Sequence, residues 1–145
     1  MKLENVKFKG KSIEESDFLC AKGGWVVGDF YRDGQHYCIV HPIAVNHDCE
    51  PISYKSTEVD PETVCMFTGL FDKNGKEIFE GDILAHDGKI IGHIVSGVRG
   101  YCYDVIYKNP RYDHSWPLYG VVIYDYKGNV EVVGNIIDNK ELLVS

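Results

Sequence analysis

The chain has 145 residues, of which 44% are hydrophobic and 26% are charged, and its formal net charge is −7. This size and composition are typical of one globular domain, or of two packed halves, that can bury a core without disulfides or metal ions. No run of about 18 apolar residues occurs, so we expect no membrane-spanning helix. The acidic charge argues against non-specific binding to a nucleic-acid backbone.

The compartment is predicted from the N-terminus and the cysteines. Residues 1–6 contain neither an apolar run nor a small-residue cleavage site, so we expect no secretory signal. The five cysteines are odd in number and include no C-x-x-C pair, which favours reduced thiols in a cytoplasm. Cys38, Cys65 and Cys102 lie within apolar or aromatic runs and are predicted to be small buried hydrophobic residues.

The first predicted elements are a strand and a short helix. Lys7, Lys9 and Lys11 alternate, so they should share one side of a strand as a modest basic stripe, which we interpret as a solvated face. Ser12 and Glu15 have the spacing of a capping box, which predicts a short helix through residues 17–19.

Hairpin signals follow along the rest of the chain. Asp33-Gly34 separates β-prone runs at 25–31 and 37–40, and Asn74-Gly75 separates runs at 69–71 and 77–79. The later pairs of runs are 82–85 with 89–95, joined by residues 87–88, and 121–124 with 130–133, joined by residues 127–129. Each pair therefore predicts two antiparallel strands.

Between the last two hairpins, residues 101–107 alternate as one further strand, and residues 138–143 fit a short helical turn. Two stretches are predicted to be irregular. Residues 42–62 contain three prolines, and residues 108–118 form a polar loop with two prolines. Many short strands at regular spacing predict a mostly β fold, and the five strands between residues 82 and about 137 suit a small barrel.

Three segments of the chain have a distinctive sequence. The most specific is the run FTGLFDKNGKEIFEGDI at residues 67–83. It resembles the pattern TGL-x-DKNG-K-E-I-(Y/F)-EGDI of the YopX-like family of phage and prophage proteins. FKGK at 8–11 followed by WVVG at 25–28, and VVGNIIDNKELL at 132–143, resemble the opening and the ending of the family sequence. Two departures are a longer stretch between Lys11 and Trp25 and the presence of Lys140 where the family often has Pro.

The resemblance implies a phage-encoded protein in the cytoplasm of a bacterial host, with a C-terminal half like an SH3-type barrel and no known active site. We therefore expect a mostly β (β-rich α+β) fold. An N-terminal β-rich segment, residues 1–68, should pack on an SH3-like small barrel, residues 69–145, as one folding unit.

The motif residues also have a structural interpretation. Asn and Gly allow tight turns, and Asp can bind nearby backbone N–H groups, so turn chemistry explains the run at 67–83 without a ligand. The residues interpreted as structural are Gly69, Asn74, Gly75, Gly81, Asp82, Gly134 and Asn135.

A metal site is the first alternative that the residues suggest. Imidazole and thiolate groups bind zinc, and five of them fall between residues 36 and 49, namely His36, Cys38, His41, His47 and Cys49. Their spacing matches no common zinc pattern. The run at 72–75 also fails as a calcium loop, since its Gly is in the wrong position. We predict no metal and no cofactor.

Catalytic constellations are absent from the sequence pattern. His93, Asp104 and His114 are candidate acid–base groups, but nothing in the sequence places them together. No nucleophile elbow or paired carboxylates stand out, and Gly23-Gly24 lacks the features of a phosphate-binding loop. We therefore predict that the protein is not an enzyme.

Aromatic residues are abundant, with ten tyrosines and two tryptophans. Two uses remain open for the aromatic residues of the C-terminal half: a barrel core with hydroxyl groups at the rim, or a surface for protein contacts. The candidates are Tyr101, Tyr103, Tyr107, Tyr112, Trp116 and Tyr119.

The function predicted from these observations is a non-catalytic binding or assembly module that acts through protein contacts, with an unidentified protein or with further copies of itself. A nucleic-acid-associated accessory protein is the first alternative, although the net charge of −7 counts against it. A metal-binding domain using residues 36–49 is the second.

Overall fold

The computed structural model describes residues 6–14, 23–97, 103–109 and 114–144. The predicted fold class is confirmed, because the described chain is mostly β and its strands form two antiparallel sheets. The chain divides into two units, Met1–Met66 and Phe67–Ser145. The sequence predicts a boundary between residues 68 and 69, and both the packing between the two segments and the SH3-like character of the second remain predictions.

The first unit is built on four strands and the beginning of a fifth. The strands are β1 (Phe8–Lys11), β2 (Trp25–Asp33), β3 (His36–Val45), β4 (Pro51–Glu58) and β5 (Cys65–Phe71). Their order is β4-β3-β2-β1-β5, and every neighbouring pair is antiparallel. Cys65 and Met66 supply the β5 residues that pair with β1.

The chain just after β1 lies close to Val59, the residue that follows β4. Ser12, just after β1, forms an isolated antiparallel bridge with Val59, just after β4. A Cβ atom at Gly10 would lie 3.0 Å from the Cβ of Val59, so a residue without a side chain allows the close approach. Thr63, in the 3-10 turn Pro61–Thr63, accepts a hydrogen bond at 2.8 Å from the Lys11 backbone N–H.

The core of the first unit lies on one face of these strands. Val26, Ile39 and Val59 are buried there, and half-buried Phe8 and Phe30 pack against them with ring centroids 5.6 Å apart. Alternation along β2 puts Val27 and Tyr31 on the opposite face, where both are exposed.

In its described residues, the second unit contains the rest of β5 and six further strands. These are β6 (Glu77–Phe79), β7 (Asp82–His86), β8 (Lys89–Ser96), β9 (Tyr103–Tyr107), β10 (Ser115–Pro117) and β11 (Glu131–Asn135). β6 pairs with β5, and the others form a five-stranded antiparallel sheet in the order β10-β9-β8-β7-β11. Ile78, Leu84, Ile94 and Val105 are among the residues fully buried in its core.

The hairpin turns follow the predicted chemistry, with one shift. Asp87 and Gly88 both have positive φ, 48° and 79°, as a tight two-residue turn between β7 and β8 requires. The turn between β2 and β3 is one residue later than predicted, because Asp33 pairs with His36 and leaves Gly34 as the first turn residue. Gly34 has φ 61°, which suits glycine there.

The predicted irregular stretch at 42–62 is wrong, since β3 continues to Val45 and β4 begins at Pro51. The prolines are tolerated for local reasons. Pairing of β3 with β2 ends at Val40, so Pro42 has a strand on one side only, and a register shift follows it. Pro51 is the first residue of β4, which is a terminal strand of its sheet.

The predicted strand at 121–124 is also wrong. Gly120–Asp125 forms a π-helical turn, and the fourth strand along the chain in this sheet is instead β10, inside the predicted loop at 108–118. The short C-terminal turn is confirmed as the 3-10 turn Lys140–Leu143. The predicted helix through residues 17–19 lies outside the described residues, and no helix within the described ranges is long and apolar enough to cross a membrane.

Candidate protein-contact site

Four exposed apolar side chains lie close together in sequence at β10 and the π-helical turn. Trp116, Tyr119, Ile123 and Tyr124 have exposed fractions of 41%, 56%, 38% and 70%, and we call them the aromatic patch. The rings of Tyr119 and Tyr124 meet edge to face, with centroids 5.9 Å apart. Clustered exposed aromatic side chains are the composition typical of protein contact surfaces.

The π-helical turn keeps Ile123 and Tyr124 exposed, because the opposite side of the turn packs in the core. Leu118, Val121 and Val122 are almost completely buried. The Tyr126 N–H donates to the Val121 carbonyl at 3.1 Å, and the Gly128 N–H donates to the Val122 carbonyl at 2.7 Å. Two consecutive buried residues followed by exposed ones fit a helical turn, whereas a strand would alternate. Turns of the π type are rare and occur frequently at functional sites.

The predicted contact residues separate into two groups. Tyr103 and Tyr107 are half-buried and pack against the core of the five-stranded sheet, as the core interpretation expects. Trp116 and Tyr119 are exposed. Tyr101 and Tyr112 lie outside the described residues.

Ile123 and Tyr124 were missed as contact candidates, because the β-branched run at 121–124 indicated a strand. Residues 121–124 are two valines, an isoleucine and a tyrosine, with no polar residue among them. Periodicity alone does not decide whether such a run is a strand or a helix.

Several motif residues lie in β5 and in the turn between β5 and β6. Gly69 and Gly75 have positive φ, 85° and 78°. The Asn74 N–H donates to Asp72 Oδ1 at 2.8 Å, and the Gly75 N–H donates to the Asp72 carbonyl at 3.0 Å. Gly81 has φ 87°, immediately before β7. These contacts are those of a folded turn.

The remaining motif residues stabilise the start of β7 and the end of β11. Asp82 is buried and accepts the Phe79 N–H at 2.8 Å. Asn135 Oδ1 accepts the Asp138 N–H at 2.8 Å. A Cβ atom at Gly134 would lie 2.6 Å from Asn139 Oδ1, so no larger residue fits there without a shift.

The histidines and cysteines at 36–49 are dispersed over β3 and the following loop. His36 is exposed, and its hydrogen bond and charge interaction with Glu58 raise its pKa. His41 is buried on the opposite side of the strand from Cys38 and contacts the Thr57 hydroxyl at 2.8 Å, and burial lowers its pKa. Two further residues of this set, His47 and Cys49, are exposed in the loop. Over the described ranges, no three metal-binding side chains are placed to hold one ion.

The candidate acid–base residues lie on β8, on β9 and just before β10. His93 and Asp104 lie on one face of neighbouring strands, offset by two residues, since Asp104 pairs with Val95. Burial lowers the pKa of His93. Asp104 is fully buried, and neither carboxylate oxygen has a hydrogen-bond partner among the residues described. His114 is exposed, and its backbone carbonyl accepts a hydrogen bond from the Tyr107 N–H at 3.0 Å.

The basic stripe on β1 lies against an aromatic ring. Lys9 Nζ and Lys11 Nζ are 4.6 Å and 5.5 Å from the ring centroid of Trp25, within the range of cation–π contacts. The predicted solvated face therefore also contributes local contacts to the first unit.

The comparison with protein families agrees with the resemblance noted in the sequence. Residues 35–144 match the family described as YopX protein, and no curated protein matches the chain. The matched range contains the run at 67–83, the Asp72 turn and the aromatic patch. Because the match covers more than half of the chain, the protein belongs to the YopX family.

Proposed function

We propose that this member of the YopX family is a non-catalytic binding module, and that the aromatic patch is the surface that contacts a protein partner. The proposal rests on the exposure of three aromatic rings and one isoleucine on β10 and on the anchored turn that follows it. The family resemblance adds that the module acts for a phage or prophage in the cytoplasm of its bacterial host.

The chemistry of the patch suits protein contacts. Tyr and Trp supply large rigid areas and a polar group, so they dominate the residues whose truncation weakens interfaces. The turn that carries Tyr119 and Tyr124 is fixed by buried Val121 and Val122, so little conformational entropy is lost when a partner binds. No catalytic role is needed for any residue of the patch.

The test compares co-purification from the host by the tagged full chain and by the double variant Tyr119→Ser/Tyr124→Ser. Quantitative mass spectrometry should show a partner whose recovery falls at least about ten-fold in the double variant, as expected when interface hot spots are removed. The purified pair should then show the same loss of affinity by calorimetry.

A matched control is Phe71→Ser, which removes an exposed ring of the second unit outside the patch. Melting curves followed by circular dichroism should show that both proteins remain folded. Equal recovery of all partners by the double variant and the wild type would contradict the proposal, as would turnover of a substrate that a single substitution abolishes.

A further inference from the structure

The outer edge of β4 can be defined from its pairing with β3. The Val59 N–H donates to the Tyr37 carbonyl at 2.8 Å, which makes this a hydrogen-bonded pair of the antiparallel ladder. Hydrogen-bonded pairs alternate, so Thr57 and Lys55 direct their backbone groups toward β3. Tyr54 and Ser56 therefore direct their N–H and C=O groups away from it.

One end of this outer edge is occupied, whereas its middle has no strand partner among the described residues. The Ile13 N–H donates to the Glu58 carbonyl at 3.1 Å, which confirms that alternate residues of β4 point outward. β4 is the terminal strand of its sheet, and no described backbone group pairs with the outward groups of Tyr54 and Ser56. Unpaired strand edges of this kind are templates for another strand.

The other unit protects its sheet edges. On β11, the outward carbonyl of Val130 accepts the Lys73 N–H at 2.8 Å, and the Val132 N–H donates to Asp72 at 3.1 Å. On β10, pairing with β9 directs the Pro117 backbone outward, and proline has no N–H to offer. Within the part of the chain that the structure describes, the stretch Tyr54–Ser56 of β4 has neither form of protection.

We propose that a second copy of this chain pairs antiparallel with β4, about a two-fold axis at Tyr54. A two-fold axis at Lys55 would place this lysine opposite its own copy, and like charges directly opposite are destabilising. An axis at Tyr54 instead sets Tyr54 opposite Tyr54 and Ser53 opposite Lys55. It also uses the outward backbone groups on both copies, so the edge is complementary to itself.

Side chains beside the edge add contact area to this pairing. Tyr54 is 61% exposed, and Tyr31 on the same face is 41% exposed, with its hydroxyl 2.7 Å from the Ser56 hydroxyl. In the dimer, Tyr31 and Tyr54 of both copies would lie on the same face of the joined sheet. A ladder of about five residues forms a small interface, so the dimer should dissociate on dilution.

The test is sedimentation velocity on the full chain over a concentration series, with two substitutions at one position. Ser56→Pro removes an outward N–H and leaves the bonds to β3 in place, so the dimer dissociation constant should rise about ten-fold or more. Ser56→Ala is the matched control, because it loses the hydroxyl contact with Tyr31 but keeps the N–H, and its dimer should persist.

A second variant keeps the proposal testable if Ser56→Pro does not fold. Tyr54→Lys alters an exposed side chain and places like charges at the axis, so it should also weaken the dimer about ten-fold. The patch variant Tyr119→Ser/Tyr124→Ser should dimerise like the wild type, which separates this inference from the proposed function. A wild type that is monomeric throughout, or a folded Tyr54→Lys that dimerises normally, overturns it.

Discussion

Asp72 connects the β5–β6 turn to β11 through backbone hydrogen bonds. Its carboxylate accepts the N–H groups of Asn74 at 2.8 Å, Lys76 at 2.9 Å and Val132 at 3.1 Å. Burial alone would raise the pKa of Asp72, but these hydrogen bonds lower it below its usual value, and the bond from the Val132 N–H has the largest lowering effect. Asp72 therefore stabilises both the turn between β5 and β6 and the distant strand β11.

Asp72→Asn should destabilise the protein in a pH-dependent way. The folded-state pKa lies below the ordinary value of 3.8, so this carboxylate stabilises the fold above that pH, and the stabilisation is lost as the pH falls through the folded-state pKa. The amide keeps one acceptor and loses the other, so we expect a loss of about 1–3 kcal/mol in the free energy of unfolding at pH 7.

Urea denaturation of both proteins at pH 7 and at pH 3 checks this expectation. The difference between wild type and variant should shrink at pH 3, because there the carboxyl of the unfolded chain, with the ordinary pKa of 3.8, is largely protonated. Asp29→Asn, at an exposed carboxylate of β2, is the control and should change little at either pH. A difference of equal size at both pH values would contradict the role assigned to the charge.

Asp104 is expected to behave in the opposite way. Its side chain is fully buried in the second unit, with no hydrogen-bond partner among the described residues. Burying a polar or charged group without a partner costs free energy. Asp104→Asn replaces a side chain that can ionise with a neutral one of nearly the same shape, so we expect the free energy of unfolding at pH 7 to rise by about 1–3 kcal/mol. Lower stability of the variant, measured by urea denaturation, would show that the carboxylate is satisfied in the folded protein.

At the scale of elements, the sequence predicted what local chemistry determines. Gly75, Asp87 and Gly88 have positive φ, which residues other than Gly, Asn and Asp rarely adopt, so the turns at 74–75 and 87–88 could be predicted. The strands at 51–58 and 115–117 were missed, since prolines suggested loops and their tolerance depends on which side of each strand has a neighbour. That information lies in the sheet order and not in any local pattern.

The π-helical turn shows the same limit for the candidate site. Residues 121–124 have high β propensity, and propensity yields when packing favours another conformation. Here Val121 and Val122 are both buried in the core, and the residues that follow them, Ile123 and Tyr124, are both exposed, which fits a helical turn better than the alternation of a half-exposed strand. Trp116 and Tyr119 could be proposed as contact residues from their type, whereas Ile123 and Tyr124 required the turn itself.

At the scale of the molecule, β5 belongs to the pairing of both units. Cys65 and Met66 pair with β1, and Phe67 and Phe71 pair with β6. Each unit has its own buried cluster, around Ile39 in the first and around Val105 in the second. If either cluster unfolds, one half of a continuous strand loses its partner. We therefore expect the two units to unfold in one cooperative transition.

Two core substitutions test this coupling in a calorimeter. Val59→Ala in the first unit and Val105→Ala in the second each remove buried methyl groups and should cost about 2 kcal/mol. Each should lower a single Tm by roughly 4–8 °C. Val133→Ala, at an exposed position of β11, should leave Tm nearly unchanged. If the units were independent, two transitions would separate, because each substitution would move only the transition of its own unit.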